Sequence, residues 1–302
     1  MYFPYLRGRQ YELIALRELA DLNLIGNKIM PIIEPVSPSS TLISTVNKLV
    51  SKRLKFGIIA NPKVGTFGKK EEKYLSECIE SIFKSTPFFI VDDTVKDFFK
   101  YVGKPISECG FIFTRKDYIK EYSNLIEEAS EIPMFTLMPD EGFYRRSIHF
   151  NRVLLHDSFE AQPRNSDYSD NAELFSEDHL YFQDDGYVGF SDYLTIGEKY
   201  NEGGFLPYCV VIHITYLDEQ NRVFIKHFKS DSNDDTNDPA GKFYEALSKF
   251  VEWNKENRLN TYAARELERL YQEGLYPGLG TVKKLSLMNH IELMNKFLNN
   301  EN

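Results

Sequence analysis

Residues 30–62 decide the fold class; they read MPIIEPVSPSSTLISTVNKLVSKRLKFGIIANP. Two short apolar runs, at 30–34 and 56–60, enclose a segment at 42–50 whose apolar residues recur at helical spacing. Asn61 and Pro62 then end the second run, since the residue before a proline avoids the helical region. The stretch therefore predicts a strand, a helix and a second strand, the unit from which α/β proteins are built.

The same alternation extends along the first half of the chain. The remaining patterns there predict strands at 2–6, 88–91, 111–113 and 133–138, and helices at 10–24, 70–83 and 117–129. Their spacing of about 25 residues is typical of repeated βα units. Two weaker apolar runs, at 153–155 and 187–190, would complete a set of eight strands.

Eight parallel strands close into a barrel, so we predict an α/β fold of the (β/α)8 TIM-barrel-like kind. Without the two weaker runs, six strands would instead form an open doubly wound sheet with a small α+β appendage. Hydrophobic periodicity does not choose between these two folds.

The second half of the chain departs from this regularity. Residues 162–185 are polar and predict a long loop with a short helix, whereas residues 207–229 predict an extra β-hairpin around a turn at 218–221. Asp238 and Pro239 are typical of a helix start, and helices are predicted over about 239–302 with a Gly/Pro break at 274–280. We therefore predict one barrel-like domain over 1–302 that carries an inserted hairpin and C-terminal helices.

Composition excludes several classes of function. The 36 Lys and Arg residues are outnumbered by 45 Asp and Glu, and the net charge of -9 argues against non-specific nucleic-acid binding, which depends on basic surfaces. Cys78, Cys109 and Cys209 form no metal-ligand or disulfide pattern and predict buried thiols in a reducing compartment. No apolar stretch is long enough to span a bilayer, so a cytoplasmic location without membrane insertion is expected.

Ligands of both candidate folds bind at the carboxyl ends of the strands, where this chain places acidic and basic residues. The acidic set would supply oxygen ligands for Mg2+ or another hard cation, or catalytic bases, and the arginines would bind phosphate. Such a set would suit metal-dependent hydrolysis of a phosphodiester or a nucleotide. The acidic residues are Glu34, Asp92, Asp140, Asp157 and Asp192, and the arginines are Arg7, Arg9 and Arg115.

Structural interpretations compete with these roles. Strand ends are polar because they meet water, residues 7–9 are equally consistent with a loop of two solvated arginines, and Asp92 suits a helix cap. His156 and Asp157 cannot form a catalytic dyad within one strand, because adjacent side chains point to opposite faces. His213, in a predicted hairpin strand, would ordinarily be packed or exposed. The sequence contains no Walker loop, GxSxG elbow, HExxH or Rossmann motif.

Residues 2–16, YFPYLRGRQYELIAL, and residues 30–35, MPIIEP, resemble the start of the phage and bacterial "beta protein" family. Its members open with a Tyr-x-Pro-x-Leu strand, a basic turn, a Glu-x-x-Ala-Leu helix and a Pro-Ile-x-Glu strand. The match is closest over roughly the first 35 residues, and residues 189–193 and 207–213 are similar to one bacterial branch. The resemblance implies a barrel-like protein encoded among mobile elements and phage-defence genes, sometimes beside a nuclease-like partner. It supplies no catalytic residues.

Two functions from different classes follow as expectations. The first is a non-catalytic or regulatory component of a bacterial phage-defence or two-protein system, acting through a partner protein encoded nearby. The alternative is the metal-dependent hydrolase with its site at the carboxyl ends of the barrel strands, using Mg2+ as a possible cofactor. A barrel that senses a small ligand without turning it over is a third possibility.

Overall fold

The chain forms two sheets and a set of helices in a computed structural model, which describes residues 1–67, 79–202 and 206–300. The parallel strands are β1 (Tyr5–Leu6), β2 (Ile32–Ile33), β3 (Gly57–Ile59), β4 (Thr86–Ile90), β5 (Gly110–Ile112), β6 (Phe135–Met138), β7 (Arg152–His156) and β9 (Gly189–Asp192). The antiparallel strands are β8 (Glu173–Ser176), β10 (Val211–Leu217) and β11 (Val223–Lys229). The helices are α1 (Gln10–Asp21), α2 (Ser40–Ser51), α3 (described over 79–83), α4 (Val95–Val102), α5 (Ile119–Ala129), α6 (Gly142–Ser147), α7 (Asp178–Tyr181), α8 (Pro239–Asn257), α9 (Tyr262–Glu273) and α10 (Leu279–Asn299).

The eight parallel strands pair in the order β1-β2-β3-β4-β5-β6-β7-β9. The two ends of this row also meet, because Tyr2 forms a parallel bridge with Phe190 and the amide of Phe3 donates to the carbonyl of Phe190 at 2.9 Å. The hydroxyl of Ser191 donates to the carbonyl of Phe3 across 188 residues of chain. The predicted TIM-barrel-like fold is therefore confirmed, and the alternative of an open doubly wound sheet is wrong.

One phenylalanine shows how the barrel interior is filled. Phe88 on β4 is fully buried, and its ring lies over Gly57 on β3 and Gly110 on β5. A Cβ atom at Gly57 would come within 2.4 Å of that ring, and one at Gly110 within 2.2 Å. The two neighbouring strands thus carry glycine where the central strand carries a large ring, the alternation of small and large side chains that fills small barrels.

Contacts divide the chain into two compact units. The first comprises residues 1–13, 26–157 and 178–193 and contains the parallel sheet. The second comprises residues 14–25, 158–177 and 194–302, and it contains both the predicted hairpin and the C-terminal helices. The hairpin and the C-terminal helices were predicted as additions to one barrel-like domain, whereas their contacts place them in the second unit.

The antiparallel sheet has one strand that the sequence did not predict. Its order is β10-β11-β8, and β8 lies within the segment 162–185 that was expected to be a loop with a short helix. That expectation is wrong for β8, although α7 supplies the short helix. Two of the four residues of β8 are exposed, so the strand lacks the apolar run or the clear alternation that signals strands.

The hairpin turn and the helix that follows it form as predicted. Asp218 accepts hydrogen bonds from the amides of Gln220 and Arg222, which closes the turn between β10 and β11. Asp238 accepts from the amide of Gly241 at 2.9 Å and caps α8, whose first residue is Pro239.

Cys109 and Cys209 are free and buried, and Cys78 lies outside the described residues, as does most of the helix predicted at 70–83. Within the three described ranges, no helix combines the length and the apolar character that crossing a bilayer requires.

Candidate functional site

The predicted site residues lie at or just beyond the carboxyl ends of the barrel strands. Arg7, Glu34 and Asp157 follow β1, β2 and β7, and Asp192 ends β9. Asp92, Arg115 and Asp140 come two or three residues after β4, β5 and β6, while Arg9 precedes α1. Parallel strands of a barrel end at one rim, which we call the barrel mouth, and ligands of such folds bind there. The positions are as expected, and the chemical roles stay predictions.

Arg7 and Glu34 form a buried ion pair at the barrel mouth. Glu34 is fully buried, and Arg7 is 12% exposed in its side chain. The guanidinium of Arg7 donates to Glu34 Oε2, and the hydroxyl of Tyr5 donates to the same oxygen at 2.7 Å. The amide of Lys63 donates to Glu34 Oε1 at 2.7 Å. The carboxylate therefore has charge and hydrogen-bond partners on both oxygens, as a buried charge requires.

Two tyrosine rings enclose the guanidinium of Arg7. Its central carbon lies 4.8 Å from the ring centre of Tyr5 and 5.2 Å from that of Tyr193, within the range of cation–π attraction. Burial acts to lower the pKa of Arg7, but Tyr5 and Glu34 outweigh it and raise that pKa above its usual value. Burial and the charge of Glu34 also raise the pKa of Tyr5. Arg7 is thus a packed and permanently charged residue, not a solvated arginine of a loop.

A glycine allows this pair to form. Gly8 adopts a φ of +61°, and a Cβ atom there would lie 2.9 Å from the carbonyl oxygen of Glu34. Only glycine accepts this left-handed conformation at so close an approach without strain. Glu12, near the start of α1, accepts from the amide of Arg7 at 2.7 Å and fixes the backbone after β1.

A second ion pair follows β3 and β4. Lys63 Nζ lies 2.6 Å from Asp92 Oδ2, and the hydroxyl of Thr94 donates to Asp92 Oδ1 at 2.7 Å. Asn61, which is buried, joins the two strands by donating to the carbonyl of Ile90 and accepting from its amide, both at 2.8 Å. Asp92 therefore binds a lysine and a neighbouring threonine.

Asp140 and Arg115 each have polar partners of their own. Asp140 Oδ1 accepts from Arg145 at 2.8 Å and from the hydroxyl of Tyr187 at 2.5 Å. Burial and the hydrogen bond to Asp140 raise the pKa of Tyr187. Arg115 pairs with Asp117 at 2.8 Å and is 65% exposed in its side chain. Arg115 is thus far more exposed than Arg7, and its proposed role in binding phosphate stays a prediction.

His156 pairs with an aspartate that the sequence did not indicate. Its Nδ1 lies 2.9 Å from Asp178 Oδ2, at the start of α7, and not against the adjacent Asp157. The hydrogen bond to Asp178 raises the pKa of His156 against the opposing effect of burial, and the charges of Asp192 and Asp157 add to the increase. Asp192 itself accepts from the hydroxyl of Tyr2 at 2.7 Å. No local pattern links positions separated by 22 residues, so this pair was missed.

The predicted carboxylates differ in the side chains that they bind. Across 1–67, 79–202 and 206–300, no group of three or more His, Cys, Asp or Glu side chains is arranged to hold a metal ion. Glu34, Asp92 and Asp140 each bind a different basic residue, and Asp192 binds a tyrosine. Glu34, Asp92 and Asp140 are thus held in ion pairs, and His156 can hold a proton beside Asp178.

Comparisons with protein-family models, with curated proteins and with solved structures find no match to this chain.

Proposed function

We propose that this chain is a non-catalytic binding component that acts through a partner protein in the cytoplasm. The observation that carries the proposal is the pairing of charges at the barrel mouth, where Glu34, Asp92 and Asp140 each bind a basic side chain of their own. The resemblance to the beta protein family further suggests a partner encoded nearby and a role in phage defence.

Ion pairs favour a structural role, because a paired carboxylate must lose its cationic partner before it can bind a ligand. A metal that recruited Glu34 would have to break an ion pair whose carboxylate is fully buried. Removing one partner of such a pair typically costs about 3–5 kcal/mol. A metal-dependent hydrolase would have to supply this free energy before its cation could bind. The barrel mouth is therefore better suited to a rigid structural role than to catalysis.

An exposed aromatic surface on the second unit would serve the partner. Tyr244 on α8 and Tyr271 on α9 stack with ring centres 5.1 Å apart and planes 12° apart, and Tyr244 is exposed. Leu275 and Tyr276, which follow α9, are exposed too, and Tyr276 contacts Phe243 beside Tyr244. Tyrosine is enriched at the energetic centres of protein interfaces. The net charge of -9 favours a partner whose contact surface is basic.

Co-expression with the product of the adjacent gene tests the proposal. We expect one complex, with its mass measured by light scattering after gel filtration, and an affinity at least tenfold weaker for the double variant Tyr244→Ala/Tyr271→Ala. Tyr101→Ala is the matched control, since Tyr101 is an exposed tyrosine on α4 of the first unit. Separate elution of the two proteins would contradict the proposal.

A hydrolysis assay tests the alternative directly. Short oligonucleotides and nucleotides would be incubated with the full chain and Mg2+ or Mn2+, and product would be separated by chromatography. The proposal expects no product above the buffer control. Metal-dependent product that is abolished in Glu34→Gln and Asp192→Asn would establish the hydrolase and overturn the non-catalytic role.

A further inference from the structure

Two histidines face each other in the antiparallel sheet of the second unit. His213 on β10 and His227 on β11 are directly opposite in register, and their Nδ1 atoms are 2.7 Å apart. The ring planes are nearly perpendicular, at 83°. Neither histidine belongs to the barrel mouth or to the exposed tyrosine surface, so the pair requires its own explanation.

Aromatic rings form the walls around this pair. The ring of Tyr168 lies 4.8 Å from His213 and 4.6 Å from His227, and the ring of Phe159 lies 5.2 Å from His213. The side chain of His227 is 3% exposed, whereas His213 is half-buried. The pair therefore lies among aromatic neighbours, and His213 is the more exposed of the two rings.

A carboxylate from the third strand orients one of the rings. Glu173 Oε2, on β8, lies 3.3 Å from Nε2 of His227. A carboxylate at that position favours the tautomer that carries its proton on Nε2, which leaves a lone pair on Nδ1 of His227. The short contact between the two Nδ1 atoms then holds one proton, which His213 donates.

We propose that His213 and His227 bind a divalent transition-metal cation of the Zn2+ or Cu2+ type through their Nδ1 atoms. The cation would replace the single proton now shared by the two rings. His213 would give up its Nδ1 proton and take one at Nε2, so its ring stays neutral and no net proton is released. Imidazole nitrogen is a preferred ligand of these cations, and a carboxylate behind a metal-binding histidine is the usual outer partner.

The required adjustment of the rings is small. Two bonds of about 2.05 Å at a tetrahedral angle would place the nitrogens about 3.3 Å apart, so the present 2.7 Å must open by about 0.6 Å. Two protein ligands would leave the remaining coordination positions to water. The metal would join the strands β10 and β11.

The electrostatic surroundings contain both signs of charge. Lys226 and Lys229 oppose a cation, but Lys229 Nζ lies 3.1 Å from Asp170 Oδ1 and Lys226 donates to the carbonyl of Asp170. Glu173, whose carboxylate lies 3.3 Å from Nε2 of His227, adds a negative charge beside the pair.

Metal titration of the full chain tests the site. After removal of metals with a chelator, Cu2+ would be added below one equivalent and its paramagnetic resonance spectrum recorded. We expect one species with hyperfine coupling to two nitrogens. A spectrum with no nitrogen coupling, or no bound copper after gel filtration, would overturn the proposal without the need for any variant.

Substitutions identify the ligands. His213→Gln and His227→Gln are each expected to weaken Zn2+ binding at least tenfold by calorimetry, and Glu173→Gln about tenfold, as for other outer-sphere partners. His149→Gln is the matched control and should bind as the native chain does. Native affinity in both ligand variants would reject the site, and circular dichroism would verify that the variants are folded. The inference does not depend on the proposed partner function.

Discussion

Replacing Arg7 by methionine should destabilise the first unit more than any exposed arginine would. Methionine keeps much of the length of the side chain and its contacts with the rings of Tyr5 and Tyr193, but it removes the charge. Glu34 then keeps its hydrogen bonds from the Tyr5 hydroxyl and the Lys63 amide, yet it remains a buried carboxylate without a cation.

The magnitude follows from the burial of this pair. Breaking a buried ion pair by removing one partner costs about 3–5 kcal/mol. For domains of roughly 150–250 residues, each kcal/mol corresponds to about 2–4 °C in melting temperature, so Arg7→Met should lower it by about 6–20 °C. The double variant Arg7→Met/Glu34→Gln should recover part of this loss, because it removes the unpaired charge as well.

Urea unfolding followed by circular dichroism would measure the free energy of unfolding of the native chain, both single variants and the double variant. Arg115→Met is the matched control: this arginine is 65% exposed and its pair with Asp117 should contribute about 0–1 kcal/mol. A loss of unfolding free energy for Arg7→Met no larger than that for Arg115→Met would refute a stabilising role for the buried ion pair. Additive losses in the double variant would also refute it, since contacting charges must show an interaction energy.

Three further outcomes are expected. Asn61→Ala should lower the free energy of unfolding, measured in urea, by about 2–4 kcal/mol, because it removes two buried hydrogen bonds to the backbone of β4. Asp178→Asn should lower the pKa of His156 in an NMR titration. The pKa of His156 is higher in the folded chain than its unfolded value of 6.5. The pair with Asp178 therefore stabilises the fold fully below pH 6.5, and this stabilisation is lost as the pH rises through the pKa of the folded state. Gly110→Ala should cost about 1–3 kcal/mol through overpacking against the ring of Phe88, and less in a Phe88→Leu background. An unchanged urea midpoint of unfolding for Gly110→Ala would contradict this packing.

The barrel could be predicted because buried parallel strands appear in the sequence as runs of apolar residues. The stretches at 30–34 and 56–60 each contain a strand of the observed sheet, and the stretch at 88–91 overlaps β4. The range predicted for β9, 187–190, begins and ends two residues too early, since the strand runs from Gly189 to Asp192. Its last residues are polar and buried, and no pattern of apolar residues marks them. β8 was missed because it is half exposed and pairs with a distant hairpin.

The positions of the site residues were predictable, but their partners were not. A charged residue after an apolar run is visible in the sequence, and Glu34 and Asp92 were found in this way. Pairing depends on which strand ends become neighbours and on how each side chain points. Asp140 binds a tyrosine 47 residues away, and His213 meets His227 only because the hairpin register places them opposite one another. These contacts arise from the completed fold.

The meeting of Tyr2 and Phe3 with Phe190 has a consequence for synthesis of the chain. The ring of strands cannot close until residues near 190 have left the ribosome, because the final seam joins positions 188 residues apart. Until then, β1 and the newest strand both present unpaired backbone groups to other chains. Contacts this distant in sequence also slow folding. The nascent barrel should therefore be most prone to aggregation while its last strand is still being made.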